Sequence, residues 1–163
     1  VFICSGFDQA VLLAVRPNGQ GDVTDSHVAW SLKRAVPLTP SPLLVGDELY
    51  LVSDNGIASC LDAKTGELFW VQDTGEEIWA STLVADKKLY IGTRRGLVVL
   101  SADREGRELA DIRLGSAIWS AVTASNGTLF VASQRNLWAV KQDAKGNLAS
   151  GAEKREVVRR KPF

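Results

Sequence analysis

The feature that most constrains this chain is a repeat of 40 residues. Leu49-Tyr50, Leu89-Tyr90 and Leu129-Phe130 recur at that spacing, as do Gly56 and Gly96, and Gly66, Gly106 and Gly146. Cys60, Leu100 and Val140 fall in the same frame, and so do the pairs Trp30 and Trp70 and Trp79 and Trp119. A period of this length marks a repeated supersecondary unit whose apolar face is buried only by stacking on its neighbours.

Each unit reads as four short strands. The first holds Pro42–Val45, Thr82–Ala85 or Ala121–Ala124. A tight turn follows at Gly46-Asp47, Asp86-Lys87 or Ser125-Asn126-Gly127, residue types that tolerate positive φ. The second strand is Glu48–Ser53, Lys88–Thr93 or Thr128–Ser133. The third is Ile57–Leu61, Leu97–Ser101 or Leu137–Lys141. A polar turn ending in glycine leads to the fourth, Glu67–Gln72 or Arg107–Leu114. No long stretch keeps a 3.6-residue apolar period, which excludes a helical fold. Four β-rich strands per unit predict an all-β fold, a partial β-propeller of three to four four-stranded antiparallel blades. A β-sandwich also has short strands but does not need one register three times. The blades are placed at about 1–34 (partial), 35–74, 75–115 and 116–163. Val1–Gly6 aligns with a second strand, so the first unit is without its inner one. Arg16–His27 reads as a surface loop with an exposed His27, and Glu156–Arg160 as a ragged fourth strand or a charged tail.

Charge narrows the partners. Nineteen basic side chains balance nineteen acidic ones among 163 residues. A neutral chain offers no general attraction to nucleic acid or to an anionic membrane surface. No apolar run approaches the roughly 20 residues of a membrane-spanning helix. The absence of methionine reads as a processed or excised chain. Two cysteines, Cys4 and Cys60, suit small buried side chains better than a disulfide framework or a metal site.

Ser59-Cys60-Leu61-Asp62-Ala63-Lys64-Thr65-Gly66-Glu67-Leu68-Phe69-Trp70 resembles the PQQ-like repeat, whose pattern runs Ala-x-Asp-x-x-Thr-Gly-x-x-x-Trp. Asp62, Thr65, Gly66 and Trp70 match, with Cys60 in place of Ala. The resemblance covers about residues 1–142. It implies that the Trp of one blade stacks on the glycine turn of a neighbour, a structural docking role for Trp30, Asp62, Thr65, Gly66 and Trp70. Ala110 stands where the third unit would carry its Trp. The family includes quinone-dependent dehydrogenases, the outer-membrane assembly lipoprotein BamB and other bacterial envelope proteins. A periplasmic or cell-surface location is therefore implied.

No catalytic set emerges. A quinone-dependent dehydrogenase implies PQQ with calcium, a catalytic Asp and adjacent cysteines, and this chain has no Cys-Cys pair. Asp22 with Asp25, Glu76-Glu77 and Asp86 read as solvated turns. Ser5 and Ser53 have no histidine partner. One grouping suggests binding. Topology puts the loops carrying Trp79 and Trp119 on the same rim as those carrying Arg94, Arg95 and Arg135. Aromatics and arginine dominate interface hot spots. The chain is accordingly read as a non-catalytic binding or scaffolding module with a protein partner. The alternatives are a piece of a PQQ-dependent dehydrogenase or the sensor part of a larger receptor. Two copies of a four-blade arc would close an eight-bladed homodimeric ring.

Overall fold

The computed structural model describes residues 1–6 and 9–141. Among these residues, fourteen strands form four antiparallel sheets, a partial β-propeller. The first sheet holds β1 (Phe2–Ser5), β2 (Val11–Val15) and β3 (Val28–Leu32). The second holds β4 (Leu43–Val45), β5 (Glu48–Val52), β6 (Ile57–Asp62) and β7 (Leu68–Asp73). The third holds β8 (Leu83–Ala85), β9 (Lys88–Gly92), β10 (Gly96–Ser101) and β11 (Glu108–Arg113). The fourth shows β12 (Thr123–Ser125), β13 (Thr128–Ala132) and β14 (Leu137–Lys141). Every sheet runs in sequence order, so hairpins make the whole fold. The segment expected to be a fourth strand of the last unit, Glu156–Arg160, lies outside the described residues.

Turn chemistry explains the hairpins. Val45 pairs Glu48, Ala85 pairs Lys88 and Ser125 pairs Thr128, each enclosing two residues. Asp86 and Lys87 both have positive φ, as do Asn126 and Gly127, the geometry that matches strand twist. The second hairpin is held by a hydroxyl. Ser53 Oγ accepts from the Ile57 amide at 3.2 Å, Thr93 Oγ1 from Gly96 at 3.1 Å and Ser133 Oγ from Asn136 at 3.2 Å.

Those bonds expose a correction to the repeat frame. Tyr50 pairs Cys60, Tyr90 pairs Val99 and Phe130 pairs Ala139. Cys60 is therefore equivalent to Val99 and Ala139, not to Leu100 and Val140, whose counterpart is Leu61. The second sheet carries one extra residue in its Ser53–Ile57 hairpin and one fewer between β6 and β7, where Leu61 pairs Leu68 but Leu100 pairs Glu108. The two changes cancel, so the 40-residue period hides them. The shift decides which face a side chain takes, because residues alternate across a strand.

The sheets pack face to face in three joints. At the first, Leu12 and Val36 meet Leu49, Leu51 and Leu61. At the second, Tyr50, Val52, Ala58 and Cys60 meet Leu89, Ile91, Val98 and Leu100. At the third, Leu97 and Val99 meet Ile118, Val122 and Val131, with Trp138 alongside. The Arg16–His27 segment departs from a plain loop: Thr24–His27 form one helical turn (α1), and His27 is half-buried, its Nδ1 2.7 Å from Ser26 Oγ. Among the described residues no helix is long and apolar enough to cross a membrane.

Both cysteines are free thiols, Cys4 half-buried and Cys60 fully enclosed. Burial, with the charge of Glu48 nearby, pushes the Cys60 thiol up to about 12. At pH 8 such a thiol is about one part in ten thousand thiolate, the reactive form. Cys60 is therefore expected to resist a thiol reagent in the folded protein and to react only at the rate of unfolding, as mass spectrometry of the labelled peptide would report. Prompt labelling of Cys60 in the native state would contradict its position in the second joint.

Candidate functional site

Two kinds of position stand out: the tryptophans that lock the joints, and the pair of tryptophans on the rim. Trp30 in β3 pairs Ala14, Trp70 in β7 pairs Cys60 and Ala110 in β11 pairs Val99, all at one register beside the same β-bulge. The indole of Trp30 lies on Gly66 and donates to the Ala63 carbonyl at 3.2 Å. The indole of Trp70 lies on Gly106 and donates to the Asp103 carbonyl at 2.8 Å. A Cβ on Gly106 would stand 2.4 Å from Trp70 Cδ2 and Cε2. Only glycine leaves room for the ring, and its φ of +61° is one that glycine adopts without strain.

The turns that receive the indoles are shaped by aspartates. Asp62 Oδ1 accepts from the Lys64 and Thr65 amides at 2.8 and 2.9 Å. Asp103 Oδ1 accepts from Glu105 and Gly106 at 2.9 and 3.0 Å, and from Ser101 Oγ at 2.8 Å. Hydrogen bonds from Thr65 and Lys64 hold the Asp62 carboxyl below the ordinary carboxylate range. For Asp103, burial pushes the other way, and the bonds from Gly106, Glu105 and Ser101 outweigh it, leaving a net lowering. Thr65 Oγ1 accepts from the Glu67 amide at 3.2 Å, closing the same turn.

On the rim, the loops leading into β8 and β12 are seated by backbone bonds to the sheet before. Ile78 donates to the Asp54 carbonyl and Ile118 to the Thr93 carbonyl, each at 3.0 Å. Both isoleucines are buried, which turns the next residue outward. Trp79 and Trp119 are the result: 49% and 41% exposed, with ring centroids 4.4 Å apart and planes at 70°. Leu38, one residue earlier in its own loop, is 51% exposed.

Two ion pairs involve the loop that leads to Trp79. Arg94 Nη1 lies 3.1 Å from Glu77 Oε2, and Arg95 Nε lies 2.6 Å from Glu76 Oε1. Glu77 is the exposed turn residue expected, its side chain 53% accessible although paired, whereas the Glu76 side chain is only 15% exposed. Asp86 pairs Lys88 at 2.5 Å within an exposed turn. Arg135 follows Gln134, whose amide donates to the Ala117 carbonyl at 3.0 Å, so it sits beside the Trp119 loop. It is exposed and has no acidic partner among the described residues. The structure brings Trp79 and Trp119 into contact and pairs Arg94 and Arg95 with Glu77 and Glu76, on the loop that leads to Trp79.

Asp54 carries a feature that spacing could not show. Its carboxylate accepts from the Leu38 amide at 2.7 Å and from Thr39 at 3.2 Å. Burial pushes this carboxyl up, but bonds from Thr39 and Leu38 bring it to a net lowering.

Among the described residues, no three His, Cys, Asp or Glu side chains converge to hold a metal ion. The sequence has no adjacent cysteines.

No curated protein matches this chain. Its fold resembles that of BamB from Moraxella catarrhalis, with a TM-score of 0.64 and 22% identity over 85% of this chain and 41% of that one. It also resembles a quinohemoprotein alcohol dehydrogenase, ADHIIG, from Pseudomonas putida HK5, with a TM-score of 0.58 and 16% identity over 84% and 27%. A europium-containing methanol dehydrogenase matches with a TM-score of 0.52 and 16% identity over 67% and 22%. The chain spans less than half the length of each. At these identities the likeness shows the fold alone, and that fold is shared by enzymes and non-enzymes. The family described as outer membrane protein assembly factor BamB matches residues 54–149, more than half the chain. The chain is a PQQ-like β-propeller that belongs to this family.

Proposed function

We propose that the chain is a binding segment of a bacterial envelope protein, and that a protein partner docks on the rim at Trp79 and Trp119. The observation that carries this reading is the pair of indoles, each about half exposed, in contact with each other at loop tips whose backbones are fixed from below. Large amphipathic rings on a rigid support bury much area at little entropic cost, which is why Trp and Arg recur as anchors. Arg94 and Arg95 are held by glutamates, which leaves the indole surface nearly neutral, and Arg135 adds a cation beside Trp119. Family membership supports a protein partner and an envelope location.

A photo-crosslinking residue placed at 79 or 119 of the full-length protein in living cells is expected to give discrete adducts. The same residue at Val71, which is exposed on outer strand β7, is expected to give none. Changing both Trp79 and Trp119 to Ser should weaken co-purification of the partner by about 30-fold or more, on the order of 2 kcal/mol for a hot spot. An adduct at twice the mass of the protein would identify a second copy as the partner, in line with a two-fold ring. Equal adducts from all three positions, or none, would sink the reading.

A further inference from the structure

The tryptophans inside the fold and those on the rim differ in what their ring nitrogens do. Trp30 donates to the Ala63 carbonyl and Trp70 to the Asp103 carbonyl. Trp70 is further enclosed by Gln72, whose side-chain amide donates to the Gly106 carbonyl, and by Arg104, which reaches Glu48 at 3.4 Å and lies over the Phe69 ring at 4.3 Å. Trp79 and Trp119 have no such partner: among the described residues neither indole N–H has an acceptor, and the residues are 49% and 41% exposed. The carboxylates on the loop that leads to Trp79 are already engaged, Glu76 by Arg95 at 2.6 Å and Glu77 by Arg94 at 3.1 Å. Arg135, beside the Trp119 loop, brings donors alone.

We infer that the rim takes a proline-rich segment of its partner in the polyproline II conformation, with the two indoles as the platform and their N–H groups as donors to its carbonyls. The inference rests on the rim docking proposed above and names the ligand. Donor balance carries it. An ordinary extended chain brings a backbone N–H at every residue, and each one that docking strips of water without supplying an acceptor weakens binding. Proline has no N–H, and polyproline II leaves its carbonyls without internal partners. Such a chain offers acceptors and asks for none.

Shape agrees with this balance. The indole planes meet at 70° with centroids 4.4 Å apart, which makes two angled walls and not one flat table. Angled walls suit a three-sided helix of pyrrolidine rings better than a planar ligand. Both sides arrive ordered: the preset backbone of polyproline II loses little freedom on docking, and the rim loops are fixed through the Ile78 and Ile118 amides.

Decaproline titrated into the isotope-labelled full-length protein, read by NMR at the indole N–H signals, tests the inference. The signals of Trp79 and Trp119, assigned with Trp79→Phe and Trp119→Phe, are expected to move and to saturate at millimolar peptide or below, while those of Trp30 and Trp70 stay in place. A Gly-Ser peptide of equal length, with an N–H at every residue, should bind about tenfold or more weakly. Phe keeps an aromatic face and removes the N–H, so Trp79→Phe should weaken decaproline binding about fivefold, the loss of one hydrogen bond. Unshifted Trp30 and Trp70 signals in that variant report an intact fold. Three results would overturn the inference: no movement of the Trp79 and Trp119 signals, equal binding of the Gly-Ser peptide, or full affinity in both Phe variants. The rim reading itself fails separately, at the crosslinks. Adducts at 79 and 119 without any response to decaproline would keep the protein partner and reject the proline-rich segment.

Discussion

Trp70→Ala is expected to cost about 3–5 kcal/mol of folding stability, measured by urea or guanidinium unfolding of the chain. The ring is 9% exposed, packs against Tyr50 with centroids 6.2 Å apart, and covers Gly106. Removing it takes away the transfer energy of a large side chain and leaves a cavity between two sheets whose backbones are fixed by their own ladders, so collapse into the gap is limited. It also strips the Asp103 carbonyl of its indole donor. Set against total stabilities of roughly 5–15 kcal/mol, this is a large share. Trp30→Ala should cost less, because Trp30 is half-buried and its bond to Ala63 is longer, at 3.2 Å. Equal losses from the two, or a loss at Trp70 below about 1 kcal/mol, would mean that the sheets are held by their core faces and not by the outer indoles.

The repeat made the fold legible because turn chemistry and strand composition agree within each unit. Gly46, Asp86-Lys87 and Asn126-Gly127 sit where two-residue hairpins need them, and alternate apolar residues along β5 and β9 reach opposite joints. The role of Gly66 and Trp70 was legible only through the resemblance to a known repeat, since spacing alone does not say that a Trp meets a glycine in the next sheet. Two things were hidden. The one-residue shift at Cys60 is invisible to a period of 40, because the longer hairpin and the shorter turn cancel within one unit. The pairing of Arg94 and Arg95 with Glu77 and Glu76 joins residues 17 to 19 apart, across a rim that only the folded loops create. Read as sequence, Glu76 and Glu77 looked like unpaired turn residues and the arginines like free cations; the fold joins them in two ion pairs on the rim that carries the indoles.

Gly106→Ala is expected to be the most costly single methyl addition among the turn glycines that face an indole. Two penalties add. The first is backbone strain, because φ of +61° costs a residue with a Cβ roughly 1–2 kcal/mol. The second is overpacking. The new methyl would stand 2.4 Å from two atoms of a rigid indole that cannot retreat without breaking its bond to Asp103, a cost of about 1–3 kcal/mol. Gly75→Ala separates the terms, since Gly75 has φ of +69° and nothing within 4 Å, so it should show the strain alone. A double-mutant cycle then isolates the contact. In a Trp70→Ala background the clash is gone, and Gly106→Ala should cost no more than Gly75→Ala. The coupling between positions 70 and 106 should therefore be about 1–3 kcal/mol. Additive costs at 70 and 106 would show that the two residues do not meet in solution. The docking of one sheet on the next would then have to rest on Gln72 and Arg104, which clasp the same joint from either side of the indole.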